Sequence, residues 1–204
     1  MSSAAGPTLR QRHADRTRNA LVHAALELFA ERGFTATTID QIAARADVAP
    51  RTFFRYFATK EAVVYHDAAD VVSRTRDILL ARPAQEPPHR SLLSVLTEMG
   101  DELAADGGRM LLIHRLSKED PGVLDYQRVL IQQFEQEIVE TLAVHHGIDP
   151  ADLDLWATSA ALLSSLGVAF RSWMNAGATG PLGPYITRAL DACRRAFAND
   201  EAVR

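Results

Sequence analysis

The sequence predicts an all-α protein with a small helix-turn-helix domain in front of a larger helical bundle. Apolar residues recur every three to four positions along the 204 residues, and no sustained apolar–polar alternation predicts a strand. Between Gly33 and Phe57, two short helical patterns are separated by only three residues, DVA. A proline-rich segment, RPAQEPPHR at residues 82–90, is typical of a linker. We therefore divide the chain into an arm at 1–14, a small domain at 15–60 and a large domain at 61–204.

The first predicted helix covers residues 15–32. Its apolar residues fall on one face, and Gly33 follows at the position where glycine commonly ends a helix. The fourteen residues before it are polar and basic, and they predict a flexible arm. The apolar face consists of Leu21, Val22, Ala25, Leu26 and Phe29.

The next two elements are short helices around the DVA turn. Thr38 and Gln41 fit a capping box at the start of the first of them. Pro50 suits the first position of the second, which runs to about Phe57. A helix, a short helix, a tight turn and another short helix form a helix-turn-helix, whose last member enters the DNA major groove.

A helical wheel divides the last of these helices into two sides at about 100° per residue. The inner side is predicted to be Pro50, Phe53, Phe54 and Phe57, and the outer side Arg51, Thr52, Arg55 and Tyr56. Two guanidinium groups, a hydroxyl and a phenol on one exposed face predict contacts with DNA.

The remaining residues predict helices only. ATKEAVVYHDAADVV begins a helix near Thr59, which precedes the linker. A later helix opens with Asp149 as N-cap and Pro150 in its first position, and runs to about Asn175. It is apolar around much of its circumference and needs partners on more than one side. We expect two copies of the last two helices to form a four-helix bundle in a homodimer.

Charge is distributed unevenly along the chain. Residues 1–60 carry nine Lys and Arg against five acids, a net charge of +4, whereas the remainder carries −8. A basic module joined to an acidic one suggests binding to a polyanion by the first part only. The arginines nearest the N-terminus would follow the minor groove or belong to a disordered tail; they are Arg10, Arg12, Arg16 and Arg18.

Composition favours a soluble cytoplasmic protein. Hydrophobic residues make up 47% and charged residues 24%, as in ordinary globular proteins. Cys193 is the single cysteine, which excludes an internal disulfide framework. The polar N-terminus does not resemble a signal peptide, and the apolar run at 155–170 is shorter than the ~18 residues of a membrane span.

The segment GFTATTIDQIAARADVAPRTFFRYFATKEAVV resembles the DNA-binding signature of TetR-family transcriptional regulators. The resemblance implies a homodimer that binds a near-palindromic operator and releases it when a small molecule enters the C-terminal domain. The run PRTFFRYF is similar to the mycofactocin-regulator subgroup, which is associated with acyl-CoA ligands. By matching position, Arg51, Thr52 and Arg55 would approach bases, and Thr38, Tyr56 and Lys60 would hold phosphates.

Two residues depart from the pattern of the family. Asp47 stands where members often have glycine, which is tolerable because aspartate visits left-handed geometry more readily than most residues. Phe54 stands where many members have a tyrosine that reaches a phosphate, and the wheel assigns Phe54 to packing.

Candidate effector-binding side chains are found in the C-terminal part. Methionine and aromatic residues give adaptable apolar cavity walls, although each of these is equally typical of a packed core. The effector would be an acyl-CoA or an aromatic, drug-like compound. The candidates are Met99, Met110, His114, Phe134, Trp156, Phe170 and Trp173.

Two other function classes were compared with a ligand-released repressor. No nucleophile elbow, P-loop, dinucleotide-binding glycine pattern or zinc-protease motif predicts an enzyme or a cofactor. His145 and His146 are adjacent, so their side chains diverge on a helix, and we interpret them as a solvated helix end rather than a metal site. The alternative that stays open is a non-inducible DNA-binding protein of the same fold, either an activator or a nucleoid-associated protein.

Overall fold

The structure, a computed structural model, describes residues 8–198 and confirms the all-α fold. Those residues form ten helices and no strand. The helices are α1 Leu9–Arg32, α2 Ile39–Arg45, α3 Pro50–Tyr56, α4 Lys60–Val64, α5 Ala68–Leu80, α6 Pro88–Ala105, α7 Gly107–Glu119, α8 Pro121–His146, α9 Leu153–Asn175 and α10 Gly183–Ala198.

The helices group into two compact units. Among the described residues, the first comprises those up to His66 together with Arg115–Gln127, and the second comprises Asp67–His114 and those from Arg128 onward. The first unit is therefore longer than the 15–60 domain expected from the sequence and is discontinuous in the chain. A pattern of local spacing cannot show that the turn between α7 and α8 contacts the N-terminal helices.

Helix α1 begins at Leu9, six residues earlier than expected. Thr8 and Gln11 form a capping box: the Thr8 hydroxyl accepts from the Gln11 amide, and the Gln11 side chain accepts from the Thr8 amide. Residues 9–14 of the expected arm are therefore helical in the structure, and the first seven residues of that arm lie outside the described part of the chain.

The core of the first unit forms where α1 packs against α2 and α4, and α2 against α3. On α1, Leu28 is buried and Leu26 only partly, so the inner face is turned slightly from the one predicted. The largest buried side chains of this core are Leu21, Leu28, Phe29, Phe34, Ile42, Phe53 and Phe57.

The turn between α2 and α3 depends on one left-handed residue. Asp47 has a φ of 54°, its amide donates to the Ala44 carbonyl, and the Val48 amide donates to the Ala43 carbonyl. This is the pairing of a Schellman motif, in which the left-handed position usually holds glycine. The turn fixes how α3 leaves α2, so it also fixes which face of α3 is exposed.

We expect Asp47→Ala to lower the free energy of unfolding by about 1 kcal/mol, because alanine tolerates the left-handed region poorly. Asp47→Gly should stay within about 0.5 kcal/mol of the parent, since its easier φ is offset by a more flexible unfolded chain. Urea unfolding followed by circular dichroism measures both. Equal stability of the two variants would show that the φ at this position is unimportant.

The helix expected to start near Thr59 is broken in two. Thr59 does cap α4, but α4 ends at Val64, and α5 begins at Ala68. Tyr65 turns its ring onto Tyr126, with 5.8 Å between centroids and 14° between planes, and the Arg18 guanidinium donates to the His66 carbonyl. Because that carbonyl is bound by a side chain and Tyr65 packs on a remote ring, the helical hydrogen bonding stops here.

The second unit contains α5 against α6, α6 against α9, and α9 against α10. Helix α9 starts at Leu153 with Asp152 as N-cap, not at Pro150, because Asp149 instead accepts from the Ala151 amide in a preceding turn. Helix α6 begins inside the segment predicted as a linker. The main core cluster consists of Leu79, Leu92, Val95, Leu96, Met99, Ile138, Val139, Leu142, Ala143 and Leu155.

His145 and His146 are not a solvated helix end. A ring nitrogen of His145 lies 2.9 Å from the Arg82 carbonyl oxygen, and one of His146 lies 3.0 Å from that of Ala84. The two imidazoles therefore fasten the segment between α5 and α6 to the end of α8.

Candidate nucleic-acid interface and effector region

Helix α3 is anchored to the core by two phenylalanines. Phe53 is fully buried, Phe57 nearly so, and their rings lie 5.6 Å apart. Pro50 occupies the first helical position, where its missing N–H costs nothing. With Phe53 pointing straight into the core, the outward side of α3 is set by the 100° step between residues.

The outward side differs from the predicted one. Phe54 was assigned to packing, but 58% of its surface is exposed. Thr52 and Tyr56, predicted to face outward, are half-buried. The helical wheel treats the three phenylalanines alike, whereas burial of Phe53 and Phe57 orients the helix so that Phe54 lies at the surface. The exposed face of α3 consists of Pro50, Arg51, Phe54 and Arg55.

The two arginines of this face lie one helical turn apart and differ in their surroundings. Arg55 donates from Nη2 to the Tyr56 hydroxyl at 3.0 Å, and its guanidinium lies 4.9 Å from the centre of that ring. Arg51 is exposed and has no hydrogen-bond or ion-pair partner among the described residues. The Arg55 side chain is thus partly held in place by Tyr56, while the Arg51 side chain can change its rotamer when it binds a ligand.

Thr38 caps α2 as predicted. Its hydroxyl oxygen accepts from the Gln41 amide at 3.2 Å, and its own amide donates to the Gln41 side chain at 3.0 Å. The residue is exposed, and the hydroxyl hydrogen remains able to donate.

Lys60 makes contacts within the protein that the sequence analysis did not foresee. Its Nζ donates to the carbonyls of Phe34 and Thr37 at 2.7 and 2.9 Å and lies 4.0 Å from the centre of the Phe34 ring. Burial lowers the pKa of this amine below its ordinary value. The ammonium group has three donors, and these two carbonyls use two of them. Lys60 therefore ties the start of α4 to the loop that positions Thr38.

We expect Lys60→Met to lower the free energy of unfolding by about 1–3 kcal/mol, because two charge-assisted hydrogen bonds are lost and two carbonyls lose their donor. Urea unfolding measures the change, with Arg51→Met, which removes an exposed basic side chain of the same unit, as a control that should change little. Unchanged stability together with a salt dependence of DNA binding reduced by about one ion per half-site would indicate a pure phosphate contact.

Arg45 differs from the arginines of α3 because it is held in ion pairs. Its two terminal nitrogens each lie 3.1 Å from a carboxylate oxygen of Glu31, and Nη1 lies 3.4 Å from Glu27. The hydrogen bond from Arg45 lowers the pKa of Glu31. This pairing holds α2 on α1 and uses the guanidinium within the unit.

Two of the seven candidate effector residues line a cavity in the described part of the chain. Met99 and Met110 line a space of about 120 Å³ in the second unit, together with apolar and charged side chains. The other lining residues are Asp67, Val71, Arg74, Glu102, Leu103, Asp106 and Arg109.

The five other candidates lie elsewhere in the second unit. Phe134 and Trp156 pack against the main core cluster. Trp173 is fully buried, donates to the Gly180 carbonyl and contacts the Phe170 ring. A ring nitrogen of His114 lies 3.3 Å from the Asn175 side-chain oxygen. The spacing of these residues in the sequence predicts which face of its helix each one occupies, but it does not predict which helix faces contact each other.

The charged members of the cavity wall could not be found from local patterns. Arg109 makes a two-pronged ion pair with Asp67, with both nitrogen–oxygen distances 2.7 Å, although the residues are 42 positions apart. The Arg74 and Glu102 side chains approach to 3.9 Å. The cavity therefore combines methionine walls with charges of both signs.

Helix α9 leaves much of its apolar surface uncovered in the single chain. By length and composition it would pass as a membrane span, yet only 22% of its most apolar window is buried. Val168 is exposed on its surface. Helix α10 covers one side of α9, so another side is available to a partner.

Comparison with known proteins matches the segment that contains helices α2 and α3. The model of the family described as bacterial regulatory proteins, tetR family, matches residues 21–65. The transcriptional regulator TcmR of Streptomyces glaucescens is 34% identical over 153 residues, covering 72% of this chain and 68% of TcmR. The mycofactocin biosynthesis regulator MftR of Mycobacterium tuberculosis is 42% identical over 55 residues, covering 27% of this chain and 28% of MftR.

The fold is also similar to solved structures. The TetR-family repressor FadR of Thermus thermophilus, solved with lauroyl-CoA, superposes with a TM-score of 0.58 and 24% identity. The match covers 85% of this chain and 91% of FadR. At this identity the likeness supports the fold of both units and not a shared ligand.

Proposed function

The chain belongs to the TetR family of bacterial transcriptional regulators, and from that premise we propose that it is a ligand-released repressor of a near-palindromic operator. Members of this family bind DNA and small-molecule effectors and are not enzymes. The observation that carries the proposal is the exposed face of α3, where Arg51 and Arg55 stand on a helix fastened by Phe53.

The chemistry of this face suits the major groove. An arginine fork pairs with O6 and N7 of guanine, and Arg51 and Arg55 are spaced to contact neighbouring base pairs. Thr52 would approach the bases from the same helix. The hydroxyls of Thr38 and Tyr56, with the remaining donor of Lys60, would hold phosphates and fix the register of the protein on the duplex.

The uncovered surface of α9 supports a homodimer. Two copies of α9 and α10 would bury this surface in a four-helix bundle, which makes a dimer a better account of the apolar helix than a membrane. Two α3 helices would then enter successive major grooves about 34–36 Å apart. An operator in the bacterial chromosome requires a cytoplasmic protein.

The effector would enter the second unit at the cavity beside Met99 and Met110. A dry cavity of about 150 Å³ holds one benzene molecule, so a space of this size suits a small group and must open for anything larger. Its mixture of apolar and charged walls suits an amphipathic ligand, either an acyl-CoA or an aromatic compound. Such a ligand can release DNA only if it binds the DNA-free state more tightly.

Selection of bound sequences from a random duplex pool tests the proposal, followed by titration of the best site with and without effector candidates. A palindrome bound by two chains and released by a ligand would support the ligand-released repressor. A palindrome that no ligand releases would favour a non-inducible regulator. Recovery of no preferred sequence would overturn operator binding and favour a nucleoid-associated protein.

A further inference from the structure

One large apolar side chain stands on the exposed face of α3 among polar ones. Phe54 is 58% exposed, and its ring meets the buried Phe53 ring edge-on, with 5.6 Å between centroids and an interplanar angle of 80°. Contact with a core residue at one edge limits where the ring can point. The exposed remainder is an apolar surface beside Arg51 and Arg55.

A phenylalanine ring can make few favourable contacts in a major groove. It offers no hydrogen-bond donor or acceptor, so phosphate oxygens and the polar edges of bases gain nothing from it. The major groove displays one apolar group, the C5 methyl of thymine. An exposed phenylalanine on a helix that enters this groove therefore has one partner of matching chemistry.

We propose that Phe54 is a specificity-determining residue that packs against a thymine methyl in each half-site. The inference rests on the operator binding proposed above and adds a base that neither arginine selects. Arg51 lies three residues before Phe54 and shares its side of the helix. The thymine is therefore expected next to the base pair that Arg51 contacts.

Replacing thymine by deoxyuridine in the selected operator tests the contact. The exchange removes only the C5 methyl and keeps base pairing and the hydrogen-bonding groups of the base edge. We expect one thymine position whose replacement raises Kd about fourfold in one half-site and about fifteenfold in both, as for loss of one buried methyl group per contact. No effect at any thymine would overturn the proposal.

Protein variants assign the effect to Phe54. Phe54→Ala should bind the thymine and uracil operators equally, and Phe54→Leu should keep part of the difference because leucine is still apolar. Arg51→Ala is the matched control, since it removes another group of the same face and should keep the fourfold preference for thymine. A preference that persists in Phe54→Ala would place the methyl against another residue and overturn the assignment.

The possible results distinguish this inference from the proposed operator binding on which it rests. A preferred palindrome without any methyl effect would leave operator binding intact and make Phe54 a contact to sugar or backbone. In that case Phe54→Ala would weaken all sequences alike. Failure to select any sequence would overturn both proposals together.

Discussion

Arg51→Ala is expected to weaken operator binding by about 1–3 kcal/mol per half-site and roughly 2–6 kcal/mol for a dimer. Arg51 is exposed, and no described residue occupies its guanidinium, so the whole group is available to a base. Its loss should also relax the preference at one base pair of each half-site, because alanine offers no donors to guanine. Fluorescence anisotropy titrations on the operator and on single-base variants measure both effects.

Arg45→Ala is the matched control for this experiment. Arg45 has the same charge and lies on the same unit, but Glu31 and Glu27 pair with it. We expect this variant to retain the base preference of the parent and nearly all of its affinity. If Arg51→Ala weakened operator and random DNA by equal factors, its guanidinium would be a phosphate contact and not a base contact.

Phe53→Ala is expected to lower the free energy of unfolding of the first unit by about 3–5 kcal/mol, as for truncation of other buried phenylalanines. Phe53 is fully buried and touches both Phe54 and Phe57, so its loss opens a cavity beneath α3. Domains are commonly stable by only about 5–15 kcal/mol, so a large part of the stability would be removed. Urea unfolding by circular dichroism and an operator titration on the same sample measure the two consequences.

The neighbouring residue provides the comparison for Phe53. Phe54→Ala removes a ring of equal size from the surface, and we expect a loss of stability below about 0.5 kcal/mol, as for ordinary surface substitutions. If both variants lost stability equally, the exposed and buried roles of the two rings would be wrong. This pair of variants tests the orientation of α3 without any DNA.

Local signals in the sequence account for most of the helices. The capping box at Thr38, the proline at position 50 and the glycine at position 33 each act through nearby backbone groups, so they mark helix ends correctly. The sequence also contains a signal for the early start of α1, because Thr8 and Gln11 have the spacing of a capping box.

The errors concern contacts between residues far apart in sequence. The break after α4 depends on Tyr126 and Arg18, and the position of Lys60 depends on two carbonyls of an earlier loop. The exposure of Phe54 was missed for a related reason, since a wheel cannot tell which of two adjacent aromatic rings the core will take. The cavity wall likewise contains residues from several helices, and the spacing of apolar residues along each helix does not specify how the helices are oriented to one another.

The discontinuity of the first unit limits how this regulator can be recombined with its relatives. Thr35 donates to Asp120 at 3.0 Å, and Tyr65 stacks on Tyr126. A chimera that received residues 1–66 alone would separate both pairs, because their partners lie in 115–127. The transferable module is therefore the two segments together, and substitutions at either member of a pair should coevolve with the other.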